Sequence, residues 1–171
     1  YINDCLDGLV SQLTTFPFVI LLVDDFSTDG TQNVISDYIH NNFSIISQEE
    51  TSEAYVVFAK HNENENCFIT SFFLKYNHRS LKKSKLTYLQ KWRDTCKYEA
   101  ICEGDDYWIA QDKLQEQVQF MESNTEYVLS HTSIIYYYED IKKLIPSNDV
   151  TINNQLNNDG AVNPEHILDR Y

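Results

Sequence analysis

The sequence predicts an α/β fold, a sheet with parallel character covered by helices, and three observations carry that prediction. Six consecutive apolar residues, Phe18-Val19-Ile20-Leu21-Leu22-Val23, suit a strand buried on both faces, as a parallel sheet between helices requires. Helix-spaced apolar stripes stand on either side of that run. Two apolar segments also end in clustered acids, Asp24-Asp25 and Glu103-Gly104-Asp105-Asp106, and in open α/β sheets ligands bind at the carboxyl ends of strands.

Taken in order, Ile2, Cys5, Leu6, Leu9, Val10 and Leu13 share one helical face, and Pro17 separates that helix from the strand over 18–23. Ser27-Thr28-Asp29-Gly30-Thr31 is rich in turn and capping residues; Val34, Ile35, Tyr38 and Ile39 then mark a second helix that runs out at Asn41-Asn42. Residues 43–47 predict a short strand. From 48 to 77, apolar runs at 55–59 and 67–74 alternate with the polar stretch 61–66, and the pattern selects no element. Leu86, Leu89, Arg93 and Cys96 give helical spacing within 80–96, and residues 98–102 read as the strand leading to the acidic run. Asp112 can cap a further helix with Gln115 in the capping-box position and Leu114, Val118 and Met121 as its buried stripe, ending near Ser123-Asn124. Residues 127–138 are rich in β-formers, Glu139-Asp140 offers a turn, and 142–145 a returning strand closed by Pro146. The Asn-rich stretch 147–163 reads as a long loop, a lid if it lies beside a site, and Pro164 opens a last short helix.

With 171 residues, 42% of them hydrophobic, one domain with a sizeable core is expected. A net charge of -13 argues against nucleic acid as a partner, because such binding is driven by phosphate neutralisation. Eight of the thirteen cations nevertheless fall between 75 and 97, a solvated helix face or a contact for a small anion. Cys5, Cys67, Cys96 and Cys102 form no CxxC pair, which fits a reducing compartment. No apolar run approaches the ~20 residues that cross a bilayer, and no signal-like segment is expected. The chain opens at Tyr1 inside a helical pattern, so a piece of a longer protein is expected.

Glu103-Gly104-Asp105-Asp106-Tyr107-Trp108 crowds three carboxylates into four residues, so they are either solvated on a surface turn or held by a cation or donors. Asp25 can accept hydrogen bonds from a base or ribose, while Asp105 and Asp106 suit a hard divalent cation bridging phosphates. A nucleoside diphosphate with metal is the natural occupant. Tyr107 and Trp108 could wall that pocket or pack at the start of the next helix, and Asp29 could cap a helix or touch ligand. His131 reads as a structural histidine.

Val23-Asp24-Asp25-Phe26-Ser27-Thr28-Asp29-Gly30-Thr31 resembles the first nucleotide-binding motif of family 2 glycosyltransferases. Ala100-Ile101-Cys102-Glu103-Gly104-Asp105-Asp106-Tyr107-Trp108, followed by Lys113-Leu114 and Gln117-Val118, resembles the DxD region of a bacterial branch of that family with an EGDDYW-type motif. Tyr127-Val128-Leu129 and His131 fit as well, and the resemblance covers about residues 1–140.

The resemblance implies a GT-A fold, a Rossmann-like mixed sheet flanked by helices, here without the usual first strand. It divides the chain into a nucleotide-sugar-binding core over 1–140 and the start of an acceptor-side region over 141–171. It implies transfer of a sugar, of hexosyl type, from a nucleotide diphosphate donor to an acceptor hydroxyl with inversion. Asp24, Asp25 and Asp105 would contact the nucleotide sugar, and Asp105 with Asp106 would hold Mg2+ or Mn2+. The acceptor would be a saccharide or lipid-linked, in bacterial cell-surface polysaccharide or lipopolysaccharide synthesis. The expected location is cytoplasmic, with peripheral association at the inner face of the membrane. The base that deprotonates the acceptor is expected beyond Tyr171; Asp159 and Glu165, the late acids, read as loop residues. Two other classes stay open: a sugar-phosphate nucleotidyltransferase, which the absence of a Gly-rich basic loop disfavours, and a non-catalytic nucleotide-binding remnant that the missing strand and base would produce.

Overall fold

The computed structural model describes residues 1–138, 143–146 and 161–162. They divide into two compact units, Tyr1–Gln115 and Glu116–Tyr171. The first unit holds α1 (Ile2–Val10), β1 (Phe18–Asp24), α2 (Thr31–Asn42), β2 (Phe43–Glu50), β3 (Ala54–His61), β4 (Cys67–Leu74), α3 (Leu86–Arg93) and the start of α4 (Lys113–Ser123). The second holds the rest of α4 with β5 (Leu129–Ser130), β6 (Ile135–Tyr138), β7 (Lys143–Pro146) and β8 (Ala161–Val162).

The main sheet is mixed, in the order β1-β4-β3-β2. β1 runs parallel to β4 with Phe18 opposite Cys67, whereas β4 with β3 and β3 with β2 are antiparallel. Alternation along β4 assigns its two faces. Cys67, Ile69 and Phe73 join Leu6 of α1 and Ile35 and Ile39 of α2 in the larger core, while Phe72 and Leu74 face Tyr88 and Leu89 of α3. Helices therefore cover both faces, as expected of the fold class. The doubly covered strand is β4, buried along nearly its whole length, and not β1. β1 lies at one end of the strand order, and only Ile20 and Asp24 in it are fully buried.

The polar stretch between β3 and β4 has a structural task. Asn64 Nδ2 donates to the carbonyls of Val10 and Gln12, each at 2.9 Å, and Asn66 Nδ2 donates to Thr14 O at 2.6 Å. The first of these satisfies the Val10 carbonyl, which the end of α1 leaves without a helical partner, and the others tie down the segment that follows it. They also place that end beside the starts of β1 and β4.

The expected strand at 98–102 does not form. The segment is irregular, and Ile101 is 83% exposed. A strand is held by a ladder of backbone bonds, and these residues have no strand partner in the main sheet. The helix expected over 80–96 is confined to Leu86–Arg93. Gln115 does not close a capping box, since its Oε1 accepts from Thr15 N at 2.8 Å and Thr15 Oγ1 at 3.2 Å. In the second unit β6 and β7 form the expected hairpin with Ile135 opposite Pro146; its turn at Glu139-Asp140 lies outside the described residues. β5 pairs with β8 inside the stretch read as a loop, and the helix expected after Pro164 lies outside the described residues.

The lysine-rich segment is tied to neighbouring acids: Lys75 to Glu50 at 2.7 Å, Lys83 to Glu53 at 3.1 Å, Lys85 to Asp25 at 3.5 Å and Arg93 to Glu99 at 2.8 Å. Glu53, in the β2–β3 turn, also accepts from the Tyr76 and Tyr88 hydroxyls at 2.6 and 3.1 Å. The Tyr76 bond, then Lys83 and Tyr88, hold its carboxyl down at about 2. A depressed carboxylate contributes stability above its ordinary value of 4.5 and loses it as pH falls from there through about 2. We therefore expect wild type to exceed Glu53→Gln in urea-unfolding stability at neutral pH, with the gap narrowing across that window. A gap independent of pH contradicts this.

Candidate functional site

α1 and β1 run in opposite directions, because the end of α1 lies beside the start of β1. The first turn of α1 therefore stands at the same end of the sheet as Asp24 and Asp25. Both acidic clusters of the sequence are built at that end, by different means.

Asp24, the last residue of β1, is 5% exposed. Its Oδ2 accepts from Ser27 N at 3.0 Å and from Gln32 Nε2 at 2.5 Å. The carboxylate thus folds the β1–α2 loop back on itself and pins it to the first turn of α2. That loop carries a residue of left-handed backbone, Phe26 with φ 62°, whose side chain is 44% exposed. An aromatic residue rarely adopts this conformation, which the bonds to Asp24 and Asp25 on either side hold in place. Gly30, with φ 92°, begins α2 where a side chain would be strained. Asp29 Oδ1 accepts from Thr31 N at 3.1 Å and Thr31 Oγ1 at 2.6 Å, a local turn at the helix start.

Asp25 reaches across to the turn that follows β4. Its Oδ1 accepts from His78 N at 2.6 Å and its Oδ2 from Arg79 N at 3.1 Å, with Lys85 Nζ 3.5 Å away. Its main-chain oxygen accepts from Asn77 Nδ2 at 3.0 Å. Burial alone would raise this carboxyl, but the two N–H bonds and the Lys85 ammonium outweigh it and hold Asp25 below the ordinary range. His78 beneath it is 1% exposed, with Nδ1 3.1 Å from Tyr76 O and Nε2 2.9 Å from the Tyr88 hydroxyl. The sequence reading missed Gln32, His78 and Lys85 as parts of this framework. A basic and polar turn directly after an apolar run was the available signal.

The acidic loop is fastened to α1 through its backbone. Gly8 has no side chain because the Trp108 main chain lies against it; a Cβ there would meet Trp108 O at 2.6 Å and Trp108 N at 2.8 Å. Gln12, fully buried, donates from Nε2 to Ala110 O at 2.7 Å and accepts at Oε1 from Leu114 N at 3.0 Å. Leu13 N donates to Gln111 O at 2.7 Å. At the other end of the loop, Cys5 Sγ donates to Glu103 O at 3.5 Å and Gly104 rests against Ile2. The Trp108 ring, half-buried, lies beneath the Lys113 ammonium at 4.3 Å, while Tyr107 is 41% exposed.

This fastening uses main-chain groups and leaves the carboxylates outward. Asp105 and Asp106 are exposed, and among the described residues neither carboxylate has a hydrogen-bond or ion-pair partner. Asp24 and Asp25 are committed to internal donors; Asp105 and Asp106 are not. Among the described residues no group of three or more His, Cys, Asp or Glu side chains is placed to hold a metal. Two hard oxygen donors still fit a cation of the Mg2+ type, which takes one or two carboxylates and completes its shell with phosphate oxygens and water. His131, 3.0 Å by Nδ1 from Thr132 O, belongs to the second unit, and Asp159 and Glu165 lie outside the described residues.

In its first part, over residues 1–56, the sequence matches the family model for Glycosyl transferase family 2. The match includes Asp24 and Asp25 and ends before the acidic loop. Over 145 residues the chain is 28% identical to an uncharacterized protein of Mycobacterium bovis, and equally to uncharacterized proteins of two Mycobacterium tuberculosis strains. Those alignments cover 82% of this chain and 33% of each relative, so the chain spans about a third of their length. No solved structure matches the chain. Among the described residues no helix is long and apolar enough to cross a membrane.

Proposed function

We propose that the chain forms the donor-binding part of a family 2 glycosyltransferase with a GT-A arrangement, which moves a sugar from a uridine or guanosine diphosphate sugar to an acceptor hydroxyl with inversion. The observation that carries this reading is the contrast between the acidic pairs. Asp24 and Asp25 shape the nucleotide end of the site, with the remaining lone pairs of Asp25 and Asp105 available to ribose or base. Asp105 and Asp106, without internal partners among the described residues, would hold Mg2+ or Mn2+. A cation held there would supply positive charge to offset that developing on a departing diphosphate. The residues of this chain bind and orient the donor; none of the described carboxylates is assigned as the base. A saccharide or lipid-linked acceptor in bacterial surface polysaccharide or lipopolysaccharide synthesis, reached by peripheral association with the inner face of the membrane, completes the proposal.

Calorimetry with a uridine or guanosine diphosphate sugar tests it. Binding should depend on Mn2+, and Asp105→Ala and Asp106→Ala should each weaken it by at least about tenfold, a loss already typical of removing the support of a metal ligand. Unaltered affinity in both variants, with unfolding transitions like wild type, refutes the assignment.

A further inference from the structure

We propose that Cys5 and Cys102 form an oxidisable dithiol, which a hydroperoxide closes to a disulfide that clips the acidic loop to α1. The two sulfurs lie 3.9 Å apart although the residues are 97 apart in the chain. Cys5 is 4% exposed on the inner face of α1; Cys102 is half-buried and directly precedes Glu103. Both thiols lie against the same main-chain oxygen, Glu103 O, at 3.5 and 3.7 Å. The other two cysteines stand elsewhere: Cys67 is buried in β4, and Cys96 is exposed after α3. A disulfide needs the sulfurs about 2.05 Å apart. The remaining approach falls on residues 98–110, which carry no helical or strand ladder to resist it.

The chemistry balances with the peroxide as oxidant. The Cys102 sulfur, the more accessible of the two, attacks the O–O bond; an alcohol, or water from hydrogen peroxide, leaves and Cys102 becomes a sulfenic acid. The Cys5 sulfur then attacks the Cys102 sulfur, the S–S bond forms, and water departs. Two thiols and one hydroperoxide give one disulfide, one alcohol and one water, with two electrons passing from sulfur to peroxide oxygen. Burial pushes the Cys5 thiol up to about 12 and raises Cys102 as well.

The clip itself stands apart from the proposed function; its effect on donor binding rests on that reading, because Asp105 and Asp106 follow Cys102 closely. The test uses the chain carrying Cys96→Ser, which removes the exposed thiol, incubated with hydrogen peroxide. Two of the three remaining thiols should disappear, the intact mass should fall by two hydrogens, and digestion should yield one linked peptide pair containing Cys5 and Cys102, released by dithiothreitol. Adding Cys102→Ser, at a half-exposed position, should abolish the linkage. A link involving Cys67, or sulfinic acids without any linked peptide, overturns the proposal. Calorimetry then compares reduced and oxidised protein: weaker Mn2+-dependent donor binding in the clipped form supports control of the loop. Equal binding in both forms removes that control while the disulfide stands, and no binding in either form counts against the proposed function.

Discussion

Gly8→Ala should destabilise the protein by about 1–3 kcal/mol, the usual cost of forcing an extra carbon into a packed site. The sign makes the experiment decisive. Gly8 lies within α1, where alanine is favoured over glycine by about 1 kcal/mol, so helix propensity alone predicts a more stable variant. The steric argument points the other way, since the new Cβ would stand 2.6 and 2.8 Å from the oxygen and nitrogen of Trp108. Both are main-chain atoms and cannot rotate aside. Relief requires moving the Trp108 backbone, and with it Asp105 and Asp106. Urea unfolding measures the stability and calorimetry with Mn2+ and nucleotide sugar measures the loop. A variant more stable than wild type with full donor affinity shows that the contact relaxes at no cost.

Gln12→Ala should have the largest effect on stability, about 2–4 kcal/mol, because it leaves two main-chain groups without partners. Gln12 is fully buried and bridges Ala110 O and Leu114 N, and its Nε2 also donates to Gly8 O of α1 at 3.2 Å. Gln12→Glu keeps an acceptor for Leu114 N but loses the donor to Ala110 O and places a carboxylate against carbonyl oxygens, so it should be nearly as damaging. Amide hydrogen exchange at Leu114 gives a local readout. Protection there should fall in both variants beyond the change in global stability; protection equal to wild type contradicts the bridging role.

These two residues also show where sequence pattern stops being informative. The apolar stripe of α1 was legible from Ile2, Cys5, Leu6, Leu9 and Val10, and so were β1, α2 and the β6–β7 hairpin, because each rests on local periodicity or turn chemistry. Gly8 and Gln12 carried no such signal. A glycine in a helix looks like a weakness and a glutamine like surface, until another segment is laid against them. β4 was unreadable for a related reason. Covered by α1 and α2 on one face and α3 on the other, it loses the alternation that identifies a strand, and Thr70 and Ser71 within its apolar run blur the pattern further. The segment 98–102 failed in the opposite sense: its composition suits a strand, but a strand needs a neighbour, and composition does not supply one.

The sequence by itself determined the class of fold, the helices that flank the sheet, and the presence of acids after β1 and before α4. Those are properties of short segments, in which hydrophobic spacing and turn residues act within a few positions. Only the tertiary structure decided which acids are engaged and which are free. Asp25 takes its donors from His78 and Arg79, more than fifty residues away, whereas Asp105 and Asp106 stay exposed because their loop is held by its backbone against Gly8 and Gln12. A carboxylate's availability depends on the donors that long-range packing brings beside it, and the residue order near that carboxylate does not encode them.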